Sequence, residues 1–261
     1  MPRNHNFYIF LILALAQPAV YGQYNETIRS GRPGQSIGPF TVGKGIIQLQ
    51  TGMDVFGFEN KSLNERGDGY LNNTVARFGL TERFEISALV DHRSETDKLN
   101  GTETKSQGLA ALDFGGRYLV YSGKGAIPSV GFQLRFRLPV LSEDYKIDNV
   151  APRFILATGQ KLSETFSLIT NWGATWNGIN SVATKFYTID LSFSIVGKLS
   201  GFVENYGSTT AGDFDTRFDA GFAYLLTDDL QLDILGGPGS NDGVKDYFIS
   251  VGISIRNKRK R

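Results

Sequence analysis

Val130-Gly131-Phe132-Gln133-Leu134-Arg135-Phe136-Arg137-Leu138 is the stretch whose reading decides the fold. Its even positions are apolar and its odd positions are Gly, Gln, Arg and Arg, a period of two that an extended strand converts into one apolar and one polar face. The same alternation recurs in Ile47 to Val55, Tyr187 to Ile195 and Tyr247 to Ile255. Worked outward from these segments, the pattern predicts strands near 45–58, 69–79, 83–94, 107–121, 129–140, 149–160, 165–176, 182–196, 201–207, 214–226, 229–237 and 245–256. That makes an even number of strands, about 12.

Two architectures alternate in this way, a soluble sandwich and a membrane barrel. Strands of ~10–14 residues suit a bilayer crossing better than the ~5–6 of an ordinary sheet. The polar face also carries too many charges for a dry core. A Lys or Arg facing mid-bilayer costs ~2–4 kcal/mol, so the charged parity must face a lumen. This places Asp54, Arg77, Glu85, Asp91, Arg93, Asp113, Arg117, Arg135, Arg137, Arg153, Asp190, Arg217, Asp219, Asp233 and Arg256 inward, with the parity of Glu204 open. Phe132, Phe136, Phe154, Phe166, Trp172, Trp176, Tyr187, Phe193, Phe222, Tyr224 and Tyr247 then face lipid. The fold class is all-β: an antiparallel transmembrane β-barrel over 45–256.

The connections agree. Leu80-Thr81-Glu82-Arg83-Phe84, Leu162-Ser163-Glu164-Thr165-Phe166 and Leu226-Thr227-Asp228-Asp229-Leu230 reuse one short turn, with a relative at Leu199-Ser200-Gly201-Phe202. They alternate with longer polar stretches, Asn60 to Asp68, Ser94 to Ser106, Leu141 to Asp148, Gly207 to Asp213 and Gly237 to Val244. Outer-membrane barrels have short periplasmic turns and longer external loops. The expected location is therefore the outer membrane of a Gram-negative-type bacterium, with both mature termini periplasmic.

The apolar run Phe7 to Ala16 follows Arg3 and precedes small residues, the layout of a signal peptide over 1–22, with cleavage after Ala16 or Gly22. Residues 23–44 form a Gly- and Pro-containing leader. It reads first as a flexible periplasmic segment and second as a plug folded into the lumen. The tail 257–261 is basic and reads as a solvated terminus. The chain has 31 Gly, 19 Phe and 11 Tyr but only 2 Met, a strand-and-turn composition. With no Cys, neither a disulfide nor a Cys-based metal site is available. A net charge of +1 gives no field drawing nucleic acid. One mature His and scattered carboxylates define no metal site, and no cofactor is called for.

Ile28 to Gln35, Gly45 to Gly52, Arg77 to Glu85, Asp219 to Leu226 and Gln231-Leu232-Asp233, in that order and spacing, resemble a family of outer-membrane barrels. That family is described as transporter-like, or as belonging to a meta-cleavage phenol-degradation pathway. The resemblance covers nearly the whole mature chain and implies a barrel that moves small molecules, with phenolic compounds the suggested class. Gly31 stands where the family usually has an acidic residue.

Three functions follow. The first is a passive channel for small molecules, aromatic or hydrophobic ones included. Arg135 and Arg137 point the same way from one strand, with Arg117, Arg153 and Asp113 on flanking strands; together with Asp190, Arg217 and Asp219 they are the candidate lumen constriction. The inward charges nearly balance, which predicts internal salt-bridge ladders and little ion selectivity. The second is a lipid hydrolase, because His92-Arg93-Ser94 sets a base and a nucleophile on one strand face, as in the His-x-Ser pair of outer-membrane phospholipases. No orienting acid or oxyanion hole accompanies it. The third is a closed structural barrel. The implied partners are outer-membrane lipid, a small-molecule permeant and the barrel-assembly machinery, with homo-oligomers open and no nucleic acid.

Overall fold

The computed structural model describes residues 26–241 and 244–257. The signal peptide with its cleavage site and Lys258 to Arg261 lie outside the described residues. Twelve antiparallel strands follow one another: β1 (Ile47–Asn60), β2 (Glu65–Gly79), β3 (Phe84–Leu99), β4 (Thr102–Tyr121), β5 (Ser129–Arg137), β6 (Ala151–Lys161), β7 (Phe166–Trp176), β8 (Ala183–Val196), β9 (Leu199–Thr210), β10 (Asp213–Thr227), β11 (Leu230–Asn241) and β12 (Val244–Arg256). Each pairs with its neighbours in sequence, and β12 pairs back onto β1 to close the barrel. Closure leaves no unpaired edge, as a spanning sheet requires. Gln48 pairs with Arg256, so both ends of the barrel wall lie at one rim, here the proximal rim.

The strands match the predicted segments except that Leu199 to Phe202, expected as a turn, open β9 after a turn at Gly197-Lys198, and that one systematic difference appears at the distal rim. Ser94 to Ser106 and Gly207 to Asp213, expected as loops, are mostly strand. They end in two-residue turns at Asn100-Gly101 and Ala211-Gly212, all four residues at positive φ, the geometry that continues the strand twist through a hairpin. Beyond the bilayer both faces of a strand are wet, so the apolar alternation disappears while the hydrogen-bonded ladder continues. Leu141 to Asp148 is a true loop, with a short 3-10 turn at Glu143–Tyr145. It folds back against β3 and β4: Leu109 donates from its backbone N–H to Ser142 Oγ at 2.8 Å, and Tyr145 donates to Glu95 Oε1 at 3.3 Å. Burial, reinforced by the Glu95 carboxylate, pushes the Tyr145 phenol up to about 12.

The two faces invert the soluble rule. Outside, Phe132, Phe136, Trp172, Phe222, Tyr224 and Tyr247 are exposed. Phe132 stacks with Phe154 at 6.3 Å, Phe154 meets Trp176, and Tyr187 lies parallel to Phe214. Inside, the buried side chains are largely polar: Gln48, Gln50, Arg77, Glu85, Asp113, Arg117, Asn171, Asp190, Glu204 and Asp219 among them. Glu204, whose parity the sequence left open, faces inward and is almost fully buried.

Candidate functional site: a lumen threaded by the chain's own leader

The leader is not a flexible segment outside the barrel. Its described residues run inside the proximal half of the lumen and meet almost every strand in turn. Ile28 donates from its backbone N–H to Asp228 O at 2.7 Å, at the β10–β11 turn. Ser30 shares a hydrogen bond of 2.7 Å with Ser254 of β12. Arg32 reaches Asp233 of β11 at 3.1 Å and donates to Ser250 Oγ of β12 at 2.6 Å. The Gln35 N–H donates to Glu204 Oε2 of β9 at 2.6 Å, and Ser36 bonds Thr188 of β8. Asn171 of β7 grips Ile37 at both ends of its peptide, accepting from N–H at 2.8 Å and donating to C=O at 2.9 Å. Pro39 then lies against Gly131 of β5 and Gly159 of β6, and Val42 N–H donates to Glu85 of β3 at 2.8 Å. The segment leaves by a backbone bond from Gly45 N–H to Gly79 O of β2. A polar backbone inside a barrel must find partners, and here side chains of the wall replace a β-ladder.

The wall is chemically divided. On β2–β6, Arg77 pairs with Glu85 at 2.8 Å and donates to Phe40 O and Arg29 O. Arg117, also beside Glu85, donates to Gly38 O, Phe40 O and Gln133 Oε1. Arg137 pairs with Asp113 at 2.9 Å. On β8–β10, Asp190, Glu204 and Asp219 are direct cross-strand neighbours in one row. Ser192 donates to Asp190, and Asp190, Glu204 and Asp219 have no cation within ion-pair distance among the described residues. The expected ladder of balanced pairs is thus present on one side only, because charges were counted around the whole barrel although they are sorted by wall.

All eight predicted lumen residues face inward. Arg117, Arg135, Asp113, Asp190 and Asp219 are buried. Arg135 and Arg153 are cross-strand partners on β5 and β6. Arg217 is held by Asp215 at 2.8 Å and Asp246 at 2.5 Å, and lines one cavity together with Arg153. Arg117, Arg135, Arg137, Arg153 and Asp113 thus cluster on β4–β6 and Asp190 and Asp219 lie in the row on β8–β10, while Arg217 shares a cavity with Arg153. His92 and Ser94 sit on the outer face of β3, beside Asn72 and Tyr70 of β2. A bulge at Ala110 of β4 lies opposite His92.

Sequence reasoning missed the leader's track, although a signal for it was present. Gly52 and Gly252 face each other across the β1–β12 seam. A Cβ on either would collide with the Arg32 guanidinium, so the pair forms the notch in which that side chain lies. Gly131 admits Pro39 in the same way. Inward-facing glycines within strands mark close approach of another backbone or side chain.

Known proteins share this architecture. An outer membrane channel from Pseudomonas putida F1 superposes with a TM-score of 0.71 at 11% identity, covering 87% of this chain and 100% of that one. The translocator domain of the autotransporter NalP from Neisseria meningitidis gives 0.55 at 13% identity, over 82% and 89%. The KdgM porin in complex with disordered oligogalacturonate gives 0.53 at 12% identity, over 78% and 98%. At such identities the likeness is one of fold, that of outer-membrane barrels. No curated protein matches the sequence. A family model described as "Putative MetA-pathway of phenol degradation" matches residues 30–256, a span that includes most of the threaded leader and all twelve strands; the chain belongs to that family.

Proposed function

We propose that the protein is a passive outer-membrane channel for small molecules, its proximal rim facing the periplasm and its lumen narrowed by its own leader. The observation that carries this reading is a closed barrel whose interior is charged and hydrogen-bonded, with a threaded segment in one half and a polar space beyond it. A barrel of 12 strands lies between the side-chain-filled eight-stranded type and the open porins, so a short segment suffices to set its bore. The P. putida channel and the KdgM porin, alike in fold, support the same role. The family description makes aromatic compounds the first permeants to test. Outer-membrane lipid at the aromatic outer face and the barrel-assembly machinery are the partners this reading implies.

The protein acts without catalysis in this reading. His92 and Ser94 have Asn72 and Tyr70, not a carboxylate, as their cross-strand neighbours on β2, which supports a structural role for the pair. Phospholipid ester hydrolysis that disappears in Ser94→Ala would reverse that assignment. The channel itself is tested by planar-bilayer conductance of the refolded mature protein. Reproducible discrete steps are expected, and silence from protein with the heat-modifiable mobility of a folded barrel would refute it.

A further inference from the structure

The arginines of the β4–β6 wall are not equivalent. Arg117 is committed to Gln133, to two leader carbonyls and to Glu85, and Arg137 to Asp113. Arg135 and Arg153 stand directly across from each other on neighbouring strands, where like charges repel. Arg135 donates only to Ser87 Oγ, at 3.2 Å, and Arg153 has no hydrogen bond or ion pair among the described residues. What Arg153 does have is an aromatic face: its guanidinium lies 4.5 Å from the centroid of Phe186 on β8.

Beside it is a cavity of about 240 Å³ lined by Arg153, Thr175, Phe186, Thr188 and Tyr206 and floored by Gln35 of the leader. The other charges at its edge, Asp215 and Arg217, are paired with each other, and Arg217 also with Asp246. A cavity of ~150 Å³ already admits benzene, so this one has room for a single ring and a polar substituent. A guanidinium fork matches a carboxylate in two parallel hydrogen bonds, and apolar ring faces complement an aromatic body.

We infer that Arg153, supported by Arg135, Phe186 and Tyr206, forms a binding site for single-ring aromatic carboxylates on the distal side of the leader. The inference rests on the lumen being the permeation route, and it narrows the permeant from small molecules in general to aromatic anions. Arg153 holds the carboxylate, whose charge offsets the repulsion between Arg153 and its neighbour Arg135, and the ring lies between Phe186 and Tyr206. A neutral phenol lacks the anion, and acetate lacks the ring.

The test is calorimetric titration of the refolded full mature barrel with benzoate, phenol and acetate near neutral pH. Benzoate is expected to bind saturably and more tightly than either of the others. Arg153→Gln should weaken benzoate by about tenfold or more, the equivalent of at least ~1.4 kcal/mol. Phe186→Leu should weaken benzoate while leaving acetate unchanged. Should Arg153→Gln fail to fold, Arg153→Lys and Phe186→Leu carry the test, since Lys keeps the charge but loses the bidentate geometry. Benzoate affinity unaltered by substitution at Arg153 and Phe186, or phenol binding as tightly as benzoate, overturns the inference. Conductance measured on the same preparation separates the two readings. Arg153-dependent binding in a barrel that never conducts leaves the site standing and removes the channel; conduction without such binding does the reverse.

Discussion

The two sides of the lumen treat the same peptide in opposite ways. Along β2–β4 the wall presents guanidinium groups, and the leader turns carbonyls toward them: Arg29 O, Gly38 O and Phe40 O all accept from Arg77 or Arg117. Along β9 and β11 the wall presents carboxylates, and the leader offers the Gln35 N–H to Glu204 and the Arg32 guanidinium to Asp233. Each peptide group is a dipole, and the sorted wall orients it by its nearer end. On the basic side the arginines also have Glu85 as a counter-ion, so that cluster is closed. On the acidic side three carboxylates in a row depend on the leader and on hydroxyls. One wall is an ion-pair network that the leader completes; the other is a repulsive row that the leader relieves.

This contrast can be broken outright by deleting residues 26–43 behind an intact export signal. The barrel is expected to assemble and its single-channel conductance to rise several-fold; an unchanged conductance would mean that the leader does not limit the bore. A sharper test compares one carboxylate from each wall. Glu85→Gln leaves Arg77 and Arg117 buried without a counter-ion and should cost about 3–5 kcal/mol, read as a fall in the thermal midpoint of heat-modifiable mobility. Glu204→Gln removes charge from a crowded row, where one Glu204 oxygen and both Asp219 oxygens lack hydrogen-bond partners among the described residues, and should be neutral or stabilising. Equal losses from the two variants would dissolve the distinction between the walls. A smaller effect is expected from Gly252→Val. Its side chain fills the notch occupied by Arg32 and should free that residue from Asp233, raising the open-state current noise with little change in melting. Charge reversal of Arg135 and Arg137 to Glu should move the reversal potential toward cation preference, the least of these changes because Asp113 and the leader carbonyls remain in place.

The barrel was legible because its rule is local. Where one face must meet lipid and the other water, residues such as Arg135 and Phe136 record the answer position by position, and the twelve strands followed from that alternation. At the distal rim the rule lapses, so Glu95 to Lys98 and Thr102 to Lys105 read as loop although they are paired strand. The leader's path was illegible for a different reason, although a plug in the lumen stood as its second reading. The leader's partners lie from 19 to 230 residues away in the chain, and it has no periodicity because its backbone is satisfied by side chains such as Asn171 and Glu204. Only the inward glycines carried its imprint. The charged candidates were correctly faced inward, but strand parity gives no height or azimuth. The meeting of Arg217 with Arg153 at one cavity, and the sorting of basic from acidic wall, therefore needed the closed barrel.

The seam between β1 and β12 gives the threaded segment a place in assembly as well as in the finished molecule. Its contacts with Glu85 and Gly79 use the first hairpins of the wall, whereas those with Ser250 and Ser254 use the last strand. The loop of contacts cannot be completed until the wall is, and a wall sealed around an empty centre would have to be re-entered through its proximal mouth. Arg32 in the notch of Gly52 and Gly252 touches both strands of the seam, so its place exists only in a wall whose first and last strands have met in this register.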